Sequence, residues 1–220
     1  MLILPGIVGG AWVLGGVMRG LRRAGIDRAI DVFAWGRRPL GWWRNLTDLR
    51  SNQDQARRLA DRLADASARR RGPGVVMVGF SGGSGFALLV ADALPEGAAL
   101  DRLILVSAAV SPSYDLKRAL ARSRRGVVSF YSRLDGFMLG GATTVFGTVD
   151  RRHGVSAGFV GFQDGQGRLR ADPRLTQIGW RPSWMKFGHL GGHVGYLSRG
   201  WAQYVLAPQI DPAVVRAEGA

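Results

Sequence analysis

Short, wholly apolar runs alternate along this chain with longer stretches whose apolar residues recur at helical spacing. Leu2-Ile3-Leu4 has the length of a buried strand, Pro5 to Gly10 turns, and Ala11 to Ala24 predicts a helix that ends in basic residues before Gly25. Ile30 to Trp35 predicts a second strand. Ser51-Asn52-Gln53-Asp54 offers an N-cap with an acid three residues on. Ala56, Leu59, Ala60, Leu63 and Ala64 then mark a helix that stops near Arg71-Gly72-Pro73. Val75 to Val78 is strand-like, a glycine-rich turn follows it, and Phe86 to Leu94 is helical in composition. Leu103 to Val110 and Val127 to Tyr131 repeat the strand signature on either side of a basic amphipathic stretch, Asp115 to Arg125. Leu175 to Trp180 predicts a last strand, and Val194 to Leu206 a closing helix before Pro208.

About six apolar strands alternating with helices predict an α/β fold, a three-layer α/β/α sandwich around a mostly parallel sheet, because parallel strands need crossover helices and bury both faces. At 220 residues, with no Pro- or Ser-rich linker, the chain is expected to form a single domain spanning 1–220.

Composition narrows the chemistry. The net charge is +14, and all but two of the 30 basic residues are arginine, the exceptions being Lys117 and Lys186. The arginines are scattered in twos and threes, from Arg22-Arg23 to Arg151-Arg152, as on a solvated surface, which disfavours a specific nucleic-acid role. Peripheral contact with an anionic membrane surface stays compatible with this charge. Zero cysteines exclude a disulfide scaffold, a thiolate metal site and a cysteine nucleophile. Met1 to Met18 is apolar but lacks a basic leading region and is broken by Pro5 and five glycines, so a cytoplasmic protein is expected rather than an exported or spanning one.

Gly79-Phe80-Ser81-Gly82-Gly83 places a serine where a strand turns abruptly into a helix. Such a turn strains the backbone, needs small neighbours, lifts the hydroxyl above the sheet edge and aims the first helical amides at an oxygen that becomes negative during attack. A phosphate-binding turn is the rival reading. Residues 79 to 84, however, put serines where a dinucleotide fingerprint wants glycines, and no G-x-x-x-x-G-K-[ST] loop occurs. His189 and His193 are four apart, but two glycines between them and the lack of H-E-x-x-H speak against a metal pair, so neither metal nor cofactor is expected.

From the Leu-Pro-Gly-Ile opening to the final histidine turn, the sequence resembles the α/β-hydrolase superfamily, in its serine esterase and lipase-like branch. That resemblance implies the chain order nucleophile, acid, histidine. Ser81 would be the nucleophile. Asp135, just beyond Val127 to Tyr131, would be the acid, with Asp115 and Asp150 as rivals. His193 would be the base, with His189 as rival and His153 as an insertion residue. The amides of Gly82 and Ile7 would form the oxyanion hole, Val8 competing with Ile7 because Pro5-Gly6 replaces the commoner His-Gly. The first two strands of the family are lacking, and 136–174 is long enough to be an insertion or cap. Phe80, Trp42, Trp43, Phe137 and Met138 are candidates to line an acyl pocket, although core packing is the commoner use of such residues. The expected activity is hydrolysis of a carboxylic ester or thioester, with a small-molecule or lipid-like acyl substrate, through an acyl-enzyme and a Ser-His-Asp triad. The alternative is a noncatalytic α/β module whose arginines bind polyanions or an anionic membrane surface.

Overall fold

The computed structural model describes residues 1–7, 11–36, 48–69, 74–136, 149–150 and 154–214. Its centre is one sheet of six strands: β1 Leu2–Leu4, β2 Asp31–Val32, β3 Val76–Phe80, β4 Arg102–Val106, β5 Val127–Tyr131 and β6 Leu175–Gly179. Every pairing is parallel and the order is β2-β1-β3-β4-β5-β6.

Because side chains alternate across a strand, each strand feeds two cores. Leu4, Met77, Leu103, Leu105 and Val127 point to one face, where they meet helix α2 (Leu49–Arg69), α3 (Gly82–Ala93) and the short α4 (Lys117–Ala121) through Ala56, Leu59, Phe86, Leu88 and Ala119. Ile3, Val76, Val78, Phe80, Ile104, Val128 and Phe130 point to the other, against α1 (Gly15–Arg23) and the C-terminal helix, through Val17, Leu21, Trp201, Leu206 and Ile210. The result is an α/β architecture with helices on both sides of the sheet.

β4 ends at Val106 rather than Val110, and the first helix opens with a 3-10 turn, Ala11–Leu14; three further elements differ from the sequence reading. β2 is two residues rather than six, because the chain leaves the sheet after Phe33 and Trp35 turns into the core, its indole N–H donating to Pro5 O at 2.7 Å. Helix α2 starts at Leu49, and Asp48 rather than Ser51 supplies the cap: its Oδ1 accepts the Ser51 N–H at 3.0 Å. The closing helix does not run from Val194 to Leu206. His193–Leu197 is a 3-10 turn. An α turn, Arg199–Trp201, follows with Ser198 Oγ accepting the Trp201 N–H, then a π turn, Ala202–Leu206, and an α turn, Ala207–Ile210. Pro208 lies inside this helix instead of ending it. The π turn, in which the Ala207 N–H reaches Ala202 O, is the local widening that lets a residue without an N–H be accommodated.

Of the 136–174 stretch, residues 137–148 and 151–153 lie outside the described residues. The described part is buried at a few positions and exposed over 165–169. Val149, Ala157 and Phe162 are buried, and around helix α5 (Ala157–Val160) the Ala157 and Gly158 amides donate to Val110 O and Ala108 O at 2.7 and 2.8 Å.

The chain leaves β1 toward β2 on one side and β3 toward β4 on the other. Adjacent strands whose connections diverge leave a crevice beyond their carboxyl ends. That crevice lies between Pro5-Gly6-Ile7 and Ser81. Among the described residues, no helix is long and apolar enough to cross a membrane.

Candidate active site

The turn from β3 to α3 has the strain its sequence suggests. Ser81 sits at φ 54°, ψ −121°, and Ser81 and Ser107 are the non-glycine residues with positive φ among those described. Left-handed backbone costs an L-residue roughly 1–2 kcal/mol, so the surroundings must hold it. They do so through Ser81 N–H donating to Val106 O at 2.8 Å and Ser84 Oγ donating to Gly79 O at 2.7 Å while accepting the Val106 N–H at 3.1 Å. Glycine is required at 79 and 83 by close approach. A Cβ at Gly79 would lie 2.6 Å from Gly83 O and from Ser84 Cα, and one at Gly83 would run into the carbonyls of Leu4 and Pro5.

Asp135 and His193 are brought together from opposite ends of a long connection. Asp135 closes a turn after β5, its N–H donating to Ser132 O at 3.1 Å, and is 2% exposed. His193 opens the 3-10 turn that precedes the C-terminal helix. Ser132 Oγ clips the two loops by donating to Gly191 O at 2.6 Å. His193 Nδ1 then lies 2.7 Å from Asp135 Oδ2. A carboxylate only accepts, so Nδ1 carries the proton and Nε2 is left with a lone pair. Ser107 Oγ donates to the same Asp135 Oδ2 at 2.7 Å and lies 3.2 Å from His193 Nδ1.

Ser81 and His193 line one cavity of about 150 Å³, together with Pro5, Gly6, Ile7, Leu14, Tyr196 and Leu197. Among the described residues, no hydrogen bond joins the Ser81 hydroxyl to His193. Such contacts commonly tighten only when substrate is bound. The loop after β1 abuts the serine: a Cβ at Gly6 would lie 3.4 Å from Ser81 Cβ and 3.9 Å from its Oγ. The Ile7 side chain covers Gly82, where a Cβ would lie 2.5 Å from Ile7 Cγ2. Gly82 opens α3, so its amide has no carbonyl partner one turn back. Trp35 holds this loop through Pro5 O and stacks on Phe86 at 5.0 Å.

The rival residues have other work. Asp115 is exposed and its Oδ1 accepts the Lys117 N–H at 3.0 Å in the turn that leads into α4. Asp150 accepts the Ser111 N–H at 3.0 Å. His189 is fully buried among Trp184, Tyr196 and Trp201, and its Nδ1 accepts the Gly191 N–H at 3.1 Å. Burial lowers its pKa to about 4 against the opposing pull of Asp135. The same burial, with Asp135 and Tyr131 nearby, raises the Tyr196 phenol above its ordinary value. Phe80 is buried and lines the cavity. Trp42, Trp43, Phe137 and Met138, with Val8 and His153, lie outside the described residues. Among the described residues, no group of three or more His, Asp or Glu is placed to hold a metal ion.

The sequence reading missed Ser107, Ser132 and Trp35. Ser132 carried one faint signal, a serine directly after a buried strand, whereas Ser107 falls inside the strand expected over Leu103 to Val110. Compared with known families the sequence matches no family model, and none of the curated proteins matches it either.

Proposed function

We propose that this chain is a serine hydrolase of the α/β-hydrolase type that cleaves a carboxylic ester or thioester of a short apolar acyl group. One observation carries the reading: a strained serine at the strand-to-helix turn faces the same cavity as a histidine whose far nitrogen is held by a buried carboxylate. His193 Nε2 takes the Ser81 proton as Oγ attacks the carbonyl carbon. Asp135 keeps Nδ1 protonated and offsets the imidazolium charge. The carbonyl electrons move onto oxygen, for which the Gly82 and Ile7 amides are the proposed donors. Collapse expels the alcohol or thiol with the proton from His193, and water activated by His193 then releases the acid and restores Ser81.

The cavity indicates the acyl class. Apart from Ser81, Ser107, His193 and Tyr196 its lining residues are apolar or glycine, and about 150 Å³ is the size that admits a benzene-sized group. Short, uncharged acyl chains fit that space; a charged acyl group would be desolvated there without a partner. The test is turnover of a p-nitrophenyl ester series from acetyl to decanoyl, with the matching thioesters. Activity is expected to peak at short chains and to fall at least about 10³-fold in Ser81→Ala. Equal rates for wild type and Ser81→Ala would sink the proposal.

A further inference from the structure

Ser107 follows β4 as Ser81 follows β3, and both adopt left-handed backbone, at φ 53° and 54°. The Ser107 N–H continues the ladder by donating to Phe130 O at 2.9 Å. The chain then twists so that the side chain turns toward the end of β5. Glycine would adopt this conformation without strain, so serine is an unfavourable choice for the backbone alone. What the side chain contributes is its hydroxyl, buried with the residue 1% exposed.

That hydroxyl makes two contacts of complementary kind. It donates to Asp135 Oδ2 at 2.7 Å, the oxygen that also receives His193 Nδ1–H. With its proton committed there, its lone pair faces His193 Nδ1 at 3.2 Å as a second acceptor for the same N–H. Three atoms from three different loops thus close a triangle.

We propose that Ser107 is a positioning residue for the Asp135–His193 pair, fixing the carboxylate rotamer and the imidazole plane so that Nε2 faces Ser81. The inference rests on the hydrolase reading given above. Ser107 takes no proton from substrate and forms no bond to it. It acts through the pair. Without it, Asp135 Oδ2 loses one of its two donors, and the ring of His193 keeps one acceptor instead of two.

The test compares Ser107→Ala with Ser107→Gly in the full chain. Both lack the hydroxyl, but only glycine relieves the positive φ, so the glycine variant is the one expected to fold more firmly. Two quantities are read: the rate of covalent labelling of Ser81 by a fluorophosphonate, and the downfield proton resonance of His193 Nδ1–H, identified by its loss in His193→Ala. Labelling is expected to slow about 10- to 100-fold in both variants, the effect of losing a hydrogen bond to a charged group. The proton resonance is expected to move in both. A Ser107→Gly protein with wild-type labelling and an unmoved resonance would overturn the inference, since only a backbone role would then remain. Wild-type protein that labels nowhere overturns the hydrolase reading and this inference together, whereas slow labelling confined to the Ser107 variants supports both.

Discussion

Within the site, two imidazoles four residues apart experience different surroundings. His193 is partly exposed and held by a carboxylate, while His189 is sealed among aromatic rings and its pKa is pushed down to about 4, chiefly by burial. In the unfolded chain His189 titrates near its ordinary value of about 6.5. As pH falls below 6.5 the unfolded state takes up this proton first. Stability is therefore lost between about pH 6.5 and 4, by roughly 3 kcal/mol once both states are protonated. Urea midpoints measured from pH 7 to 4 are expected to fall more steeply for wild type than for His189→Asn, which keeps an acceptor for the Gly191 N–H without the titration. Labelling of Ser81 at pH 7 should survive in His189→Asn and vanish in His193→Ala. At this scale Ser81 is singled out by its glycine turn, whereas Asp135 and His193 were expected only through the resemblance to the hydrolase family; the structure brings these two within 2.7 Å of each other. Ser107 was not legible, since the sequence reading puts it inside the strand Leu103 to Val110, and its left-handed φ and contact with Asp135 exist only in the folded chain.

The strand-to-helix turn works as a unit. Gly79 and Gly83 allow β3 and α3 to meet beneath Ser81, with Gly83 against the Leu4 and Pro5 carbonyls at the end of β1. A methyl group at 83 must push one of these backbones aside. Gly83→Ala is expected to lose about 1–3 kcal/mol in denaturant unfolding and to label at Ser81 more than about tenfold more slowly, because the loop it displaces carries the Ile7 amide. Unchanged stability and labelling would show that this close packing is not required. The turn could be read from Gly79-Phe80-Ser81-Gly82-Gly83 because its physical demand is local. The ends of β2 and of the C-terminal helix could not. Trp35 leaves the strand pattern to reach Pro5 O, and Pro208 is absorbed by a π turn that no residue pattern announces.

Over the whole molecule, the parallel sheet places the loops of the candidate site at one edge. β1, β3, β4 and β5 each end there, bringing Ile7, Ser81, Ser107 and Asp135 together, and the loop before the C-terminal helix supplies His193. The α/β class followed from the alternation of apolar runs with helical stretches. The strand order did not, since the central strands β1, β3 and β4 are apolar on both faces and composition does not tell neighbours apart. Whether this edge holds an activated serine is read from the site of fluorophosphonate attachment, located by peptide mass spectrometry in wild type, Ser81→Ala, Asp135→Asn and His193→Ala. The account predicts a single label on Ser81 in wild type, none at that position in Ser81→Ala, and labelling slowed by about 10³-fold or more in the other two. Folded wild-type protein that stays unlabelled, or that labels at Ser81 equally fast without His193, would contradict it.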